Sequence, residues 1–121
     1  MRALIVLRVV AGVHALAICL QPLFAGLYLN GSPAGIRMHE TTGLILSALS
    51  LMQLLVATMW WRSGGRWTAS AVSLLIVAGE IAQGAVGHSR LLAIHAPLGV
   101  ALVVVSVAFA LRVGRPRAVV A

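Results

Sequence analysis

Two histidines, His39 and His95, occur in the same local pattern and are the residues best suited to chemistry in this sequence. Each is followed by a glycine four residues later, in His39-Glu-Thr-Thr-Gly43 and His95-Ala-Pro-Leu-Gly99, and by a serine eleven residues later. Offsets of 4 and 11 keep these residues on one face of an α-helix. An imidazole on such a face is a potential metal ligand, and glycine one turn away lets a flat ring approach the backbone.

This pattern predicts a haem b held between the two imidazoles. In a four-helix bundle the second and fourth helices lie on a diagonal of roughly 11–14 Å, which leaves space for an iron between the two side chains. Arg37 and Arg90 lie near the histidines in the sequence and are expected to pair with the haem propionates. Copper is the alternative metal, because methionines share the helix of the first histidine and thioethers suit Cu(I). A packing role for the histidines and glycines is the alternative without a metal.

A second polar set lies deeper in the apolar part of the sequence. His14 and Glu80 fall in the middle of apolar segments, where an ionisable residue is costly and needs a partner, so we expect the two to pair. Gln21 and Gln83 lie near the ends of the same segments. These four residues predict a proton relay, a polar site for a quinone or another small molecule without a metal, or structural hydrogen bonding between helices.

Four long apolar segments must position these residues. The predicted helices cover about 4–29, 33–61, 68–87 and 90–112, and each has about the 20 residues that cross a bilayer. Apolar residues form 61% of the chain and charged residues only 9%, whereas a soluble domain has about 25% charged residues. The sequence therefore predicts one all-α domain over residues 1–121, an up-down-up-down transmembrane bundle embedded in lipid. Ser89 is the expected N-cap of the fourth helix.

The arginines predict the orientation of the bundle. Two of them, Arg37 and Arg90, fall on one side, and seven fall on the other: Arg2, Arg8, Arg62, Arg66, Arg112, Arg115 and Arg117. Under the positive-inside rule both termini are cytoplasmic and the protein is a multi-pass protein of the inner membrane. The net charge of +7 comes from a few scattered arginines, so a nucleic-acid partner is not expected. A single cysteine, Cys19, excludes an intramolecular disulfide.

The two halves of the chain resemble each other. Gln21 and Gly26 in the first half correspond to Gln83 and Gly87 in the second, and each pair precedes one His-x-x-x-Gly motif. The sequence therefore predicts two similar helix hairpins in the same orientation, related by an axis along the membrane normal.

The segments Gln21–Gly26, His39–Gly43, Glu80–Gln83 and His95–Gly99 resemble those of a family of small bacterial four-helix membrane proteins without an established activity. More distantly, the layout is similar to membrane b-type cytochromes, including one half of haem A synthase. This second resemblance implies that His39 and His95 are axial haem ligands. It does not carry over the oxidising chemistry of haem A synthase, because Glu40 stands where that enzyme has a different arrangement.

The sequence thus predicts a haem b-binding membrane protein that transfers single electrons between a quinol or a partner protein and an acceptor on the outer side. The alternatives are a non-enzymatic membrane subunit that packs in a larger complex or with copies of itself, and the metal-free quinone or small-molecule site.

Overall fold

The computed structural model describes residues 2–115, and the helices account for nearly all of them. Helix α1 spans Arg2–Leu29, α2 Pro33–Arg62, α3 Trp67–His88 and α4 Leu92–Gly114. All four are long and apolar enough to cross a membrane. Arg117, one of the arginines used to predict the orientation, lies outside the described residues.

The four helices form an up-down-up-down bundle. Each helix packs against the one before and after it in the chain, and α4 closes the bundle against α1. Helices α1 and α3 therefore face each other across one diagonal, and α2 and α4 across the other. The chain termini and the α2–α3 turn lie at one end, here called the terminal end. The α1–α2 and α3–α4 turns lie at the opposite end, here called the hairpin end.

The two turns at the hairpin end are built differently. Helix α2 begins with Ser32 as N-cap and Pro33 at its first position, because a proline there lacks only an N–H that would have no helical partner. The prediction that Ser89 caps the fourth helix is wrong. The N–H of Ser89 still bonds to a carbonyl of α3, and Arg90 reverses the chain with a φ of 56°. Helix α4 begins only at Leu92, which places His95 in its first turn.

Apolar side chains fill the interior in two clusters. The cluster near the terminal end joins all four helices through Leu7, Ala11, Ala57, Ala69, Ile76 and Phe109. A smaller one, of Ile18, Leu46 and Leu102, lies nearer the hairpin end. Arg8 closes the terminal end, since its Nε donates to the carbonyl of Val113 at 2.8 Å and satisfies the end of α4. The larger core thus holds the terminal end, where Gln53 Nε2 also donates to Ser73 Oγ at 3.3 Å, and His39 and His95 lie at the opposite end.

Gly35 sets the distance between α1 and α2 at the hairpin end. A Cβ at this position would overlap the backbone of Tyr28 and would lie 2.8 Å from the carbonyl oxygen of Phe24. Backbone atoms cannot move aside as a flexible side chain can, so a larger residue must push the two helices apart.

We predict that Gly35→Ala lowers the free energy of unfolding in detergent by about 1–3 kcal/mol, because the overlap is with backbone. Gly26→Ala is the matched control at the same end, since a Cβ there meets no atom within 4 Å. Denaturant titration followed by circular dichroism measures both variants. Equal stabilities would contradict this account of the α1–α2 contact.

Candidate functional site

His39 and His95 meet across the α2–α4 diagonal at the hairpin end. Their ring centroids are 6.0 Å apart and the ring planes are inclined by 59°. Both side chains are half-buried. The diagonal of roughly 11–14 Å that the sequence predicts is a distance between the axes of α2 and α4. The two side chains reach inward from these helices, so their rings lie closer together than the axes do. The structure therefore brings together the two histidines that the sequence singles out.

Each imidazole is held by a backbone carbonyl of the neighbouring helix. His39 Nδ1 lies 3.2 Å from the carbonyl oxygen of Gln21, and His95 Nδ1 lies 3.1 Å from that of Gln83. A carbonyl oxygen only accepts hydrogen bonds, so Nδ1 carries the proton in both rings. In a neutral imidazole this leaves Nε2 with its lone pair, and no group among residues 2–115 forms a hydrogen bond with either Nε2. A backbone carbonyl bound to Nδ1 is a usual support for a histidine that ligates a metal through Nε2.

The two glutamines complete the same arrangement in both hairpins. Gln21 Nε2 donates to the carbonyl oxygen of His39 at 3.2 Å, and Gln83 Nε2 donates to that of His95 at 2.9 Å. Each glutamine and histidine thus exchange two hydrogen bonds. From their positions in the sequence, these glutamines are grouped with His14 and Glu80. In the structure their side-chain amides bond to His39 and His95 instead. The repeat seen in the sequence is therefore a repeated hydrogen-bonded unit.

The glycines of the two motifs face the glutamine amides. A Cβ at Gly99 would lie 2.8 Å from Gln83 Nε2, and a Cβ at Gly43 would lie 3.8 Å from Gln21 Nε2. The space predicted to admit a flat ring is thus covered by an amide in this structure. The glutamine side chains reach the glycine surfaces from the adjacent helices. The spacing of residues on a single helix cannot reveal such a contact between helices.

Gly87 is a site residue whose role the sequence analysis missed. A Cβ at Gly87 would lie 2.8 Å from Cε1 and 2.9 Å from Nδ1 of His95. The absence of a side chain one turn after Gln83 therefore lets the imidazole reach the Gln83 carbonyl. Gly26, matched to Gly87 in the sequence, faces open space instead. The two hairpins are equivalent in their glutamines and histidines but not in these glycines.

Arg37 and Arg90 lie at the same end of the bundle as the two histidines, and both are exposed. Arg37 Nη1 donates to the carbonyl oxygen of Pro33 at 3.3 Å, and Arg90 lies in the α3–α4 turn. Neither guanidinium is committed to a carboxylate within residues 2–115. Both remain able to bind an anionic group near the hairpin end.

The second polar group is a buried pair of His14 and Glu80 on the other diagonal. His14 Nε2 of α1 lies 2.7 Å from Glu80 Oε1 of α3, and the two side chains are 0% and 7% exposed. It is the one salt bridge within residues 2–115. His14 Nδ1 and Glu80 Oε2 are buried as well and have no hydrogen-bond partner in the protein. The pairing of His14 with Glu80 that the sequence predicts is therefore present.

Other candidate metal ligands do not gather around the histidines. Residues 2–115 contain no group of three or more His, Cys, Asp or Glu side chains arranged to hold a metal ion. The methionines considered as copper ligands, Met38, Met52 and Met59, are exposed on the bundle surface. His88 is exposed in the last turn of α3. The paired imidazoles are thus the donor set that the described part of the chain offers.

Comparison with protein-family models, with curated proteins and with solved structures finds no match for this chain. The resemblance to small bacterial four-helix membrane proteins and to b-type cytochromes therefore stays a prediction.

We predict that His14→Leu and Glu80→Leu each lower the free energy of unfolding by about 3–5 kcal/mol, because each leaves the other buried group without its partner. The double variant should be more stable than either single variant, since two apolar side chains replace the pair. Denaturant titration in detergent measures all three, with exposed Glu40→Leu as the control. Additive losses in the double variant would show that the two residues are not energetically coupled.

Proposed function

We propose that this chain is an integral membrane redox protein that binds one haem b through His39 and His95. The observation that carries the proposal is the pair of imidazoles, each with Nδ1 bonded to a backbone carbonyl and Nε2 free, with ring centroids 6.0 Å apart. A bis-histidine site needs both rings to be held in this way, with Nε2 available to bind the metal.

The ring spacing supports a shared metal. A first-row metal binds imidazole nitrogen at about 2.0–2.1 Å, and the nitrogen lies roughly 1.1 Å from the ring centre. Two imidazoles on opposite sides of one ion therefore have their centroids roughly 6 Å apart, which agrees with the 6.0 Å in this structure. A direct hydrogen bond between the two rings would bring the centroids closer than this, and the structure has no such bond.

The residues around the rings suit a flat macrocycle with acidic substituents. The amides of Gln21 and Gln83 cover Gly43 and Gly99, and a rotation of these flexible side chains would open the glycine surfaces to the ring. Arg37 and Arg90 would then pair with the propionates in charge-assisted hydrogen bonds. The surrounding helices would keep water away from the ring.

Electron transfer is the activity that fits this donor set. His39 and His95 would hold the haem, which when bound would supply one-electron redox chemistry. The protein would hold the ligands in a fixed orientation and set the polarity around them. The electron donor is proposed to be a quinol or a partner protein, and the acceptor lies on the outer side. By the arginine distribution, the hairpin end faces outward and both termini are cytoplasmic in the inner membrane.

We predict that the protein purified in detergent from haem-replete cells shows a Soret band that sharpens and shifts on reduction. His39→Ala and His95→Ala should each lower the haem content at least tenfold, because each removes one axial ligand. His88→Ala, an exposed histidine on α3, should leave the haem content unchanged. Haem is measured as the pyridine haemochrome and compared with the protein concentration.

A colourless protein from the same cells would contradict the haem proposal. Metal analysis of the colourless sample then distinguishes a bound copper ion from a site without metal. Copper that disappears in His39→Ala would assign the paired imidazoles to Cu(I). A sample free of both would favour a non-enzymatic subunit that packs against other membrane helices.

The orientation is tested with single cysteines in the turns, on a Cys19→Ala background. We predict that Ser32→Cys and Ser89→Cys, both at the hairpin end, react with a membrane-impermeant maleimide in spheroplasts. Ser63→Cys, in the α2–α3 turn, should react only after the membrane is opened. The reverse labelling pattern would place the termini outside.

A further inference from the structure

The His14–Glu80 pair is not needed to bind the haem, and its surroundings suggest a separate role. Glu80 lines a cavity of about 40 Å³ between α2 and α3, together with Ser47 and Ser50 and three apolar side chains. Glu80 Oε1 is bonded to His14, but Oε2 is buried without a protein partner. A buried carboxylate oxygen without a hydrogen-bond donor is a site at which a proton can bind.

The charge on the pair explains when it would take up that proton. One proton shared by His14 and Glu80 makes the pair neutral overall, which suits a low-polarity interior. A second proton would give the pair a charge of +1, which the interior disfavours unless negative charge arrives nearby. Glu80 lies one helical turn from Gln83, whose carbonyl accepts a hydrogen bond from His95, so Glu80 is one turn below the level at which His95 is held. An electron that enters at the imidazoles supplies the compensating charge.

Few other charged groups face this pair from the four helices. On α1 the next titratable groups are Arg8, bonded to the end of α4, and the exposed Cys19. Helix α2 has none between Glu40 and Arg62, although Ser47 and Ser50 face the cavity from it. Along α3 there is none other than Glu80 between Trp67 and Gly87, and along α4 none between His95 and Arg112. Within residues 2–115, the titratable groups nearest to the pair along α1 are thus Cys19 and Arg8, five and six residues from His14.

We propose that the His14–Glu80 pair is a redox-linked proton-binding site, and this inference rests on the proposed haem. When a reductant supplies one electron to a bound haem, Glu80 would bind one proton from water, so that a protonated His14 faces a neutral Glu80. On oxidation the electron leaves to the acceptor and the proton returns to water. Charge in the bundle interior is then the same before and after the transfer.

The test is a potentiometric titration of the haem-containing protein in nanodiscs at a series of pH values, with dithionite as reductant. In the wild type the midpoint potential should fall as pH rises, by up to about 59 mV for each tenfold change in proton concentration. Glu80→Gln should lose most of this slope. Glu40→Gln, the same substitution at the other acidic residue of the chain, should keep it.

Two measurements on the wild type keep the test decisive if Glu80→Gln does not bind haem. A pH-indicator dye should report uptake of close to one proton per haem on reduction. The infrared difference spectrum should show the carbonyl stretch of a newly protonated carboxyl group, and that band should remain in Glu40→Gln. A potential independent of pH, or no proton uptake, in a haem-containing protein would overturn this inference alone. A colourless protein would overturn both proposals.

Discussion

One hydrogen bond, from an imidazole Nδ1 to a glutamine carbonyl on the neighbouring helix, determines what the hairpin end of this bundle can do. It occurs twice, at His39 and at His95. In each case it fixes the ring orientation and leaves Nε2 with its lone pair. In a membrane the bond also provides a partner for a polar side chain that lipid would not solvate. Without it, either imidazole could turn toward the headgroups, and the 6.0 Å spacing between the rings would not be maintained.

The two diagonals of the bundle carry different polar groups. The α2–α4 diagonal holds two imidazoles near the hairpin end, and the α1–α3 diagonal holds the His14–Glu80 pair. The hydrogen bonds between the histidines and the glutamines join neighbouring helices, whereas the paired imidazoles and the His14–Glu80 contact reach across the centre. A polar contact on a diagonal also fixes which helices face each other. Since apolar side chains gain little by leaving lipid for a helix interface, such contacts contribute to specifying the arrangement.

Much of the fold follows from the sequence because hydrocarbon permits few structures. Four apolar segments with short polar turns must form four spanning helices, and the His-x-x-x-Gly repeat predicts two similar hairpins. The site was less predictable. The inward face of each histidine follows from helix periodicity, but the glutamine partners and Gly87 depend on which neighbouring helix lies beside them and at what height. The start of α4 at Leu92 depends on the positive φ of Arg90, which nothing in the local sequence required.

The depth of the two polar groups bears on how they would act together. Glu80 lies one turn below the level of Gln83 and His95, and an apolar cluster that includes Ile76 lies one further turn down. The pair is therefore near the histidines and separated from the terminal end by packed apolar side chains. An electron at the imidazoles and a proton at Glu80 would occupy adjacent layers, and the attraction between them is strong because few mobile charges lie between.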